Sequence, residues 1–274
     1  MPELPEVETV RRTLAPVVGA TIERIWTSGK PLRLNRAIPV AALRTLVGHR
    51  ITGLRRLGKY LLVDVNGPRG LLVHLGMSGS FRIHRAEDPR EPHTHVIVGL
   101  GARELRFVDP RRFGQVDVFT AGAEREHPSL AVLGPDPIAE SVDGAHLHAR
   151  SRGRATQLKT FLLDQKNLAG VGNIYAVEAL WRAKLRPSRP AKRLTVAQAV
   201  TLAQEVRAVF EFALEHGGTS LRDFVDGSGQ AGENAEYLVV YGREGTPCPR
   251  CQTLIRRTVT QGRATYFCPT CQVL

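Results

Sequence analysis

Upstream of residue 248 this chain of 274 residues has no cysteine. That absence excludes a disulfide framework spread through the fold, the device of short secreted chains. Methionine is nearly missing as well, since Met77 is the only one besides the initiator. No apolar run approaches the roughly 18 residues that a membrane span requires. The opening MPELPEVETV carries acidic residues where a signal peptide would carry basic ones. The expected location is the cytoplasm, with no membrane partner. There is no internal repeat. Acidic residues are in short supply, with 26 Asp and Glu against 38 Lys and Arg.

That shortage leaves a formal net charge of +12 and an isoelectric point near 10.2. Such an excess attracts a polyanion, and nucleic acid is the polyanion that most often meets it. An acidic protein partner is the other reading that charge alone allows. Hydrophobic content of 42% and charged content of 23% are ordinary for a globular protein. The length favours two domains over one.

The four cysteines sit together as Cys248-Pro-Arg-Cys251 and Cys268-Pro-Thr-Cys271, with residues 252 to 267 between the pairs. Each pair puts two thiolates on one tight turn, and the segment between can return as a hairpin so that the pairs face each other. Four sulfurs so placed make a tetrahedral site for one structural zinc ion, with no open position for catalysis. Core cysteines would scatter instead of pairing. Arg256, Arg257 and Arg263 lie on the hairpin and make it basic.

The pattern changes along the chain. Residues 5–18 read as a helix: Pro5 suits its first turn, Glu6 and Glu8 suit the positive end of the dipole, and Val7, Val10, Leu14 and Val17 share a face. From Thr21 to Phe119 short apolar runs such as Tyr60–Val65, Gly70–Leu75, His95–Val98 and Val116–Phe119 alternate with Gly and Pro turns, with a short helix near Val40–Leu46. Many short strands predict a sandwich or flattened barrel. Gly134-Pro-Asp-Pro137 marks a boundary. Beyond it, Ala145–Arg150, Leu158–Asn167, Gly172–Ala183 and Thr195–His216 read as helices, with Thr195 as an N-cap and Gly217-Gly218 as the stop. Asp226–Glu236, rich in Gly and polar residues, reads as a mobile loop.

Pro2 is a candidate nucleophile. Its small side chain permits removal of Met1, which would leave a secondary amine at the N-terminus. An α-amino group titrates at about 7.7–8, against about 10.4 for lysine, so more of it is unprotonated at neutral pH. Attack on a sugar C1′ would expel a base and leave an iminium. That iminium acidifies the C2′ hydrogen and permits strand elimination. Glu3 and Glu6 stand within one helical turn as proton carriers. The plainer account is that many chains begin Met-Pro and that Glu favours a helix start.

Six segments together extend the argument: Pro2-Glu-Leu-Pro-Glu-Val-Glu-Thr9, Lys59-Tyr60, His74-Leu-Gly-Met-Ser-Gly79, Asp109-Pro-Arg-Arg-Phe-Gly114, Gly170-Val-Gly-Asn-Ile-Tyr175 and the cysteine hairpin. In this order, from residue 2 to residue 272, they resemble the bacterial formamidopyrimidine-DNA glycosylase family. The related endonuclease VIII branch shares the opening and the zinc finger. The fuller opening and His74–Gly79 favour the formamidopyrimidine branch.

The resemblance implies excision of oxidised purines (8-oxoguanine, formamidopyrimidines) from duplex DNA, then cleavage of the abasic strand by β,δ-elimination. It makes Pro2 the Schiff-base nucleophile and Glu3 the acid/base, with Glu6, Lys59 and Arg263 completing the catalytic set. Met77, Arg111 and Phe113 match the trio that fills the stack when a base is flipped out. An apolar thioether fills the gap, a phenyl ring wedges the step, and a guanidinium reaches base edges. His74, Lys159, Gly172, Asn173, Tyr241 and Arg263 would join the DNA contact. Read without the family, Lys59 is a solvated strand-end lysine, Met77 and Phe113 could be core, and Asn173 could be only a helix cap. The lesion-capping loop corresponds to roughly residues 219–241. Relatives often carry an aromatic near Glu233–Asn234, and this chain has none.

The expected fold is α+β and multidomain. Residues 1–134 form a catalytic β-sandwich with flanking helices, 135–240 a helix–two-turn–helix domain, and 241–274 a four-cysteine zinc-finger β-hairpin. DNA would lie in a basic cleft between the domains. The expected partner is double-stranded DNA with oxidised bases or abasic sites, bound by a monomer. Two other functions stay open at this point: an endonuclease VIII-like glycosylase for oxidised pyrimidines, and a non-catalytic zinc-ribbon DNA-binding protein.

Overall fold

Short apolar runs between residues 24 and 120 build two four-stranded antiparallel sheets in the computed structural model, which describes every residue except 34, 141 and 274. The strands are β1 (Arg24–Thr27), β2 (Ile51–Leu57), β3 (Tyr60–Val65), β4 (Arg69–His74), β5 (Ser80–Arg85), β6 (Thr94–Leu100), β7 (Arg103–Val108) and β8 (Gln115–Thr120). One sheet runs β1-β6-β7-β5 and the other β2-β3-β4-β8. Ile51, Leu61, Val63, Leu71, Val73 and Val116 of one sheet share a core with Phe81, Val96, Val98, Leu105 and Phe107 of the other. This is the sandwich that strand alternation predicts. Helix α1 (Leu4–Thr13) adds Val7 and Val10 to the same core.

The chain divides into two compact units. The first holds residues 1–131 and 216–233, and therefore the sandwich, α1, and the short helices α2 (Val40–Arg44) and α3 (Pro128–Ala131). The second holds residues 132–215 and 234–274. It contains α4 (Gly144–Ser151), α5 (Leu158–Leu163), α6 (Asn173–Arg182), α7 (Val196–Glu215) and the hairpin of β9 (Arg256–Thr260) and β10 (Arg263–Phe267). Gln261 and Gly262, with φ of +47° and +71°, make the two-residue turn between β9 and β10. Positive φ at both positions suits the right-handed twist of a tight hairpin. Among the described residues no helix is long and apolar enough to cross a membrane.

Several elements end earlier than the periodicity predicts, each for a local reason. The first helix stops at Thr13 and gives way to a 3₁₀ turn over Ala15–Val17. Pro16 lacks the N–H that a further helical turn would need. The helix read as Leu158–Asn167 stops at Leu163, because Asp164 turns the chain: its carboxylate accepts from Lys166 N–H at 3.0 Å, and its carbonyl from Asn167 N–H at 2.8 Å. Thr195 caps α7 as expected, its hydroxyl accepting from Gln198 N–H at 3.3 Å while the Gln198 side chain accepts from Thr195 N–H at 3.2 Å.

Asp226–Glu236 reads as a mobile loop, yet local hydrogen bonds tie down its first residues. Asp226 Oδ1 accepts from the N–H groups of Ser228 (2.8 Å) and Gln230 (2.9 Å). Gly227 donates to Thr13 Oγ1 of α1 at 2.8 Å and accepts from Ile83 N–H of β5 at 3.0 Å.

Candidate functional site

The start of α1 is fixed by one carboxylate. Glu6, 1% exposed, accepts from Glu3 N–H at 2.7 Å and from Thr219 N–H, also at 2.7 Å. The second bond reaches across more than two hundred residues of sequence and needs the backbone at 218 to come close. Gly218 has φ +83°, and a Cβ there would lie 3.1 Å from Glu6 Oε1. Both Glu6 oxygens therefore hold backbone. Glu3 is 2% exposed, and Pro2 is buried behind Met1, which is exposed. Pro2, Glu3 and Glu6 thus come together as expected, with Glu6 as the anchor of the group.

The β2–β3 turn carries Lys59, which is 6% exposed and so is not the solvated lysine that local sequence suggests. His74 ends β4 and pairs with Tyr60 across β3, the rings 4.7 Å apart. Burial, with the cations Arg33 and Lys59 nearby, pushes the imidazole down to about 3. It is neutral at physiological pH. Its Nδ1 accepts from Gly76 N–H at 3.0 Å, which places the imidazole proton on Nε2. His74 can therefore donate one hydrogen bond outward.

Two loops connect the sheets at one end, residues 75–79 between β4 and β5 and residues 109–114 between β7 and β8. Met77 and Phe113 stand on them with 43% and 44% of their surface exposed, so neither is core. The Arg111 guanidinium lies 4.8 Å from the Phe113 ring centroid. Asp109, wholly buried, ties the loops by accepting from Ser78 Oγ and Gly114 N–H, each at 2.7 Å. Gly76 (φ +65°) sits so close to residue 113 that a Cβ would meet its carbonyl carbon at 2.5 Å. The expected insertion trio is thus assembled on one rigid pair of loops.

Two residues beside this pair escaped the sequence reading. His93 and Arg112 adopt φ of +63° and +55°, a region that costs a side-chain-bearing residue energy. Both are exposed, and with Lys30, His95 and Pro110 they line an open recess of about 490 Å³. Neither has a sequence signal, because nothing local in the chain forces a positive φ at His93 or Arg112.

In the second unit the phosphate-grip candidates converge on the hairpin. Gly172 precedes α6, and Asn173 Nδ2 donates to Ala264 O at 3.1 Å. Lys159 was expected on the DNA, but it has no exposed surface. Its ammonium donates to Ala264 O at 2.8 Å and to Thr265 Oγ1 at 2.7 Å. It braces the strand that begins with Arg263, which is exposed next to the hairpin turn, while Arg256 and Arg257 are exposed at the other end of β9. Tyr241 N–H donates to Glu178 Oε1 at 2.8 Å, and its ring meets Tyr266 of β10 at 5.3 Å. Burial raises the Glu178 carboxyl despite the N–H groups of Tyr241, Val240 and Val239 that it accepts.

Cys248, Cys251, Cys268 and Cys271 place their sulfurs within 4.8 Å of one another. The pairs Cys251–Cys268 and Cys248–Cys271 are 3.5 and 3.9 Å apart. Sulfurs about 2.3 Å from a central ion sit about 3.8 Å apart in a tetrahedron. The distances are far too long for a disulfide. Hydrogen bonds from Thr253 bring Cys251 down to about 6, while burial and the neighbouring sulfurs push Cys271 up to about 12. Four crowded sulfurs cannot all ionise unaided, and a dication relieves that conflict.

Comparison with known proteins agrees with this geometry. Residues 1–116 match the family described as formamidopyrimidine-DNA glycosylase N-terminal domain, 133–225 the formamidopyrimidine-DNA glycosylase H2TH domain, and 245–273 a zinc finger found in FPG and IleRS. The formamidopyrimidine-DNA glycosylase of Methylococcus capsulatus is 46% identical over 99% of this chain and 100% of its own. The structure of MutM (Fpg) from Thermus thermophilus superposes with a TM-score of 0.87 at 43% identity, covering 99% of this chain and 98% of that one. A Lactococcus lactis FPG mutant, solved with Fapy-dG containing DNA, superposes with a TM-score of 0.90 at 33% identity, covering 99% of each chain. The four cysteines hold one structural zinc. The α+β architecture of antiparallel sheets, helical domain and cysteine hairpin is this family's fold, and the chain belongs to the formamidopyrimidine-DNA glycosylase family.

Proposed function

We propose that the chain excises oxidised purines, 8-oxoguanine and formamidopyrimidines, from duplex DNA and then cleaves the abasic strand. The observation that carries this reading is the start of α1. There Glu6 holds the backbone on both sides of the position from which Pro2 and Glu3 act.

Once Met1 is removed, the Pro2 nitrogen attacks C1′ of the damaged nucleotide. The C1′–N bond breaks and the base leaves with its electron pair and a proton. Glu3 protonates the sugar ring oxygen as the ring opens, giving an iminium between Pro2 and C1′. Loss of the C2′ hydrogen expels the 3′ phosphate, and a second elimination expels the 5′ phosphate. Water then hydrolyses the iminium and returns the amine. Met77, Phe113 and Arg111 occupy the space of the flipped nucleotide, with Arg111 reaching the orphaned partner base. His74 donates an Nε2–H hydrogen bond to a phosphate, Lys59 contributes its positive charge, and Asn173, Gly172, Tyr241 and Arg263 grip the flanking backbone. His93 and Arg112 extend that contact. Zinc cross-links the hairpin and supplies no catalytic step. The enzyme works as a cytoplasmic monomer.

Borohydride trapping with a duplex containing 8-oxoguanine opposite cytosine tests the reading. A covalent adduct mapped to Pro2 is the expected result. No adduct from protein shown to lack Met1 and to hold zinc would overturn it in favour of oxidised pyrimidines or of binding alone.

A further inference from the structure

The chain belongs to the second unit up to residue 215 and again from 234, while residues 216–233 belong to the first. This excursion is closed at its neck. Glu233 N–H donates to His216 O at 2.9 Å, and Thr219 forms an antiparallel bridge with Glu233. Inside the neck, Ser220 Oγ accepts from Gly232 N–H and donates to Phe224 O, each at 2.8 Å. Phe224 in turn packs against the core of the sandwich. A loop whose ends meet and that is packed by its own side chains is a compact strap.

Helix α1 is bonded to this strap at both of its ends. In its first turn Glu6 accepts from Thr219 N–H at 2.7 Å. Its last residue, Thr13, accepts from Gly227 N–H at 2.8 Å. The Thr13 hydroxyl gives its one proton back to Thr9 O at 2.9 Å, so toward Gly227 it acts only as an acceptor. Gly227 is buried, and a Cβ there would lie 2.7 Å from a Leu14 methyl and 2.9 Å from Thr13 Oγ1. Its carbonyl accepts from Ile83 N–H of β5 at 3.0 Å. One glycine thus joins the tail of α1 to the sandwich.

Pro2 and Glu3 stand at the head of α1 and are placed only as well as the helix is. Val7, Val10 and Leu14 press α1 into the core, but apolar contact has no direction and does not fix the helix axis. Hydrogen bonds are directional and do. Ten residues of helix are about 15 Å long, so a tilt of about 5° at one end carries the other about 1.3 Å. A misplacement of about 1 Å can cost on the order of a hundredfold in rate. We propose, on the reading of Pro2 as the nucleophile, that Thr13 is a positioning residue: its hydroxyl latches the tail of α1 to Gly227, so that one strap holds the helix by both ends and keeps Pro2 and Glu3 in line with C1′.

The test compares Thr13→Val and Thr13→Ser in the full-length, zinc-loaded protein. Valine keeps the shape and removes the acceptor, whereas serine keeps the acceptor. Single-turnover excision is measured per folded molecule on a duplex with 8-oxoguanine opposite cytosine, and affinity on a duplex with a tetrahydrofuran abasic site. Thr13→Val should excise about tenfold more slowly at unchanged affinity. Thr13→Ser should keep the unsubstituted rate. A valine variant at the unsubstituted rate, one slowed only as far as its affinity falls, or a serine variant as slow as valine would overturn the proposal. If Thr13→Val fails to fold, hydrogen exchange of the Gly227 amide in the unsubstituted protein decides. Protection like that of the Leu14 amide in α1 supports the latch, and exchange at the rate of an open loop overturns it. An unsubstituted protein that excises no 8-oxoguanine would sink the proposed function instead, and the Gly227 amide would then decide the latch by itself.

Discussion

Ser78 Oγ donates to Asp109 Oδ1 across 2.7 Å, and that bond joins two loops that each cross from one sheet to the other. Met77 precedes Ser78, and Arg111 and Phe113 follow Asp109 closely. A buried carboxylate is thus the frame on which three exposed side chains are mounted. Asp109→Ala leaves Ser78 Oγ and Gly114 N–H without their acceptor. Each such loss costs about 1–3 kcal/mol. The expected outcome is a clear fall in thermal stability together with at least a tenfold slower single-turnover excision. Phe113→Ala should slow excision to a similar degree and leave stability nearly unchanged, because its ring is exposed.

Glu6 should behave as an anchor. Glu6→Gln keeps one acceptor oxygen and loses the second, so it cannot hold both Glu3 N–H and Thr219 N–H. A stability loss of about 1–3 kcal/mol is expected from chemical denaturation. Borohydride trapping should fall with it. An unchanged denaturation midpoint with lost trapping would instead make Glu6 a direct proton carrier.

Lys159 and Arg263 separate bracing from gripping. Arg263→Ala should weaken DNA binding and lower the slope of log affinity against log salt by about 0.9, the effect of one lost phosphate contact. Lys159→Met should weaken binding too, through a loosened β10, and leave the slope unchanged. A reduced slope for Lys159→Met would show its ammonium reaching phosphate.

Stability should fall on the acid side of neutrality through His74. Its imidazole is held at about 3 in the folded protein, below its ordinary value of 6.5. The unfolded chain therefore takes up a proton between these values while the folded protein does not, and stability drops as pH falls through that window. His84 and His95 are also pushed down, mainly by burial, and add to the same slope. Glu8, held at about 2 because its hydrogen bonds to Arg11 and Arg12 and the charge of Arg56 outweigh burial, adds a further loss below about 4.5. Denaturation midpoints from pH 7 to pH 5 should show a shallower slope for His74→Gln than for the unsubstituted protein.

Removing zinc should release the hairpin. A strong chelator is expected to abolish specific DNA binding. The sandwich has its own core, made without the cysteines, and its strand signal in circular dichroism should persist. Retained binding by fully zinc-free protein would contradict this role.

Much of this molecule is legible in the sequence, because its strongest signals are local. The Cys248–Cys251 and Cys268–Cys271 spacing announces the metal, since two residues between thiolates is the reach of one turn around an ion. Strand alternation announces the sandwich. Met77 in a glycine-flanked turn announces an exposed tip. Gly172-Asn173 announces a helix start. Tertiary structure alone decided the rest. The two bonds of Glu6 and the burial of Lys59 and Lys159 each depend on segments far apart in the chain. Spacing and period fix what a residue can do within its own turn of helix or strand. Which side chain is covered, and by what, is set only when distant segments pack.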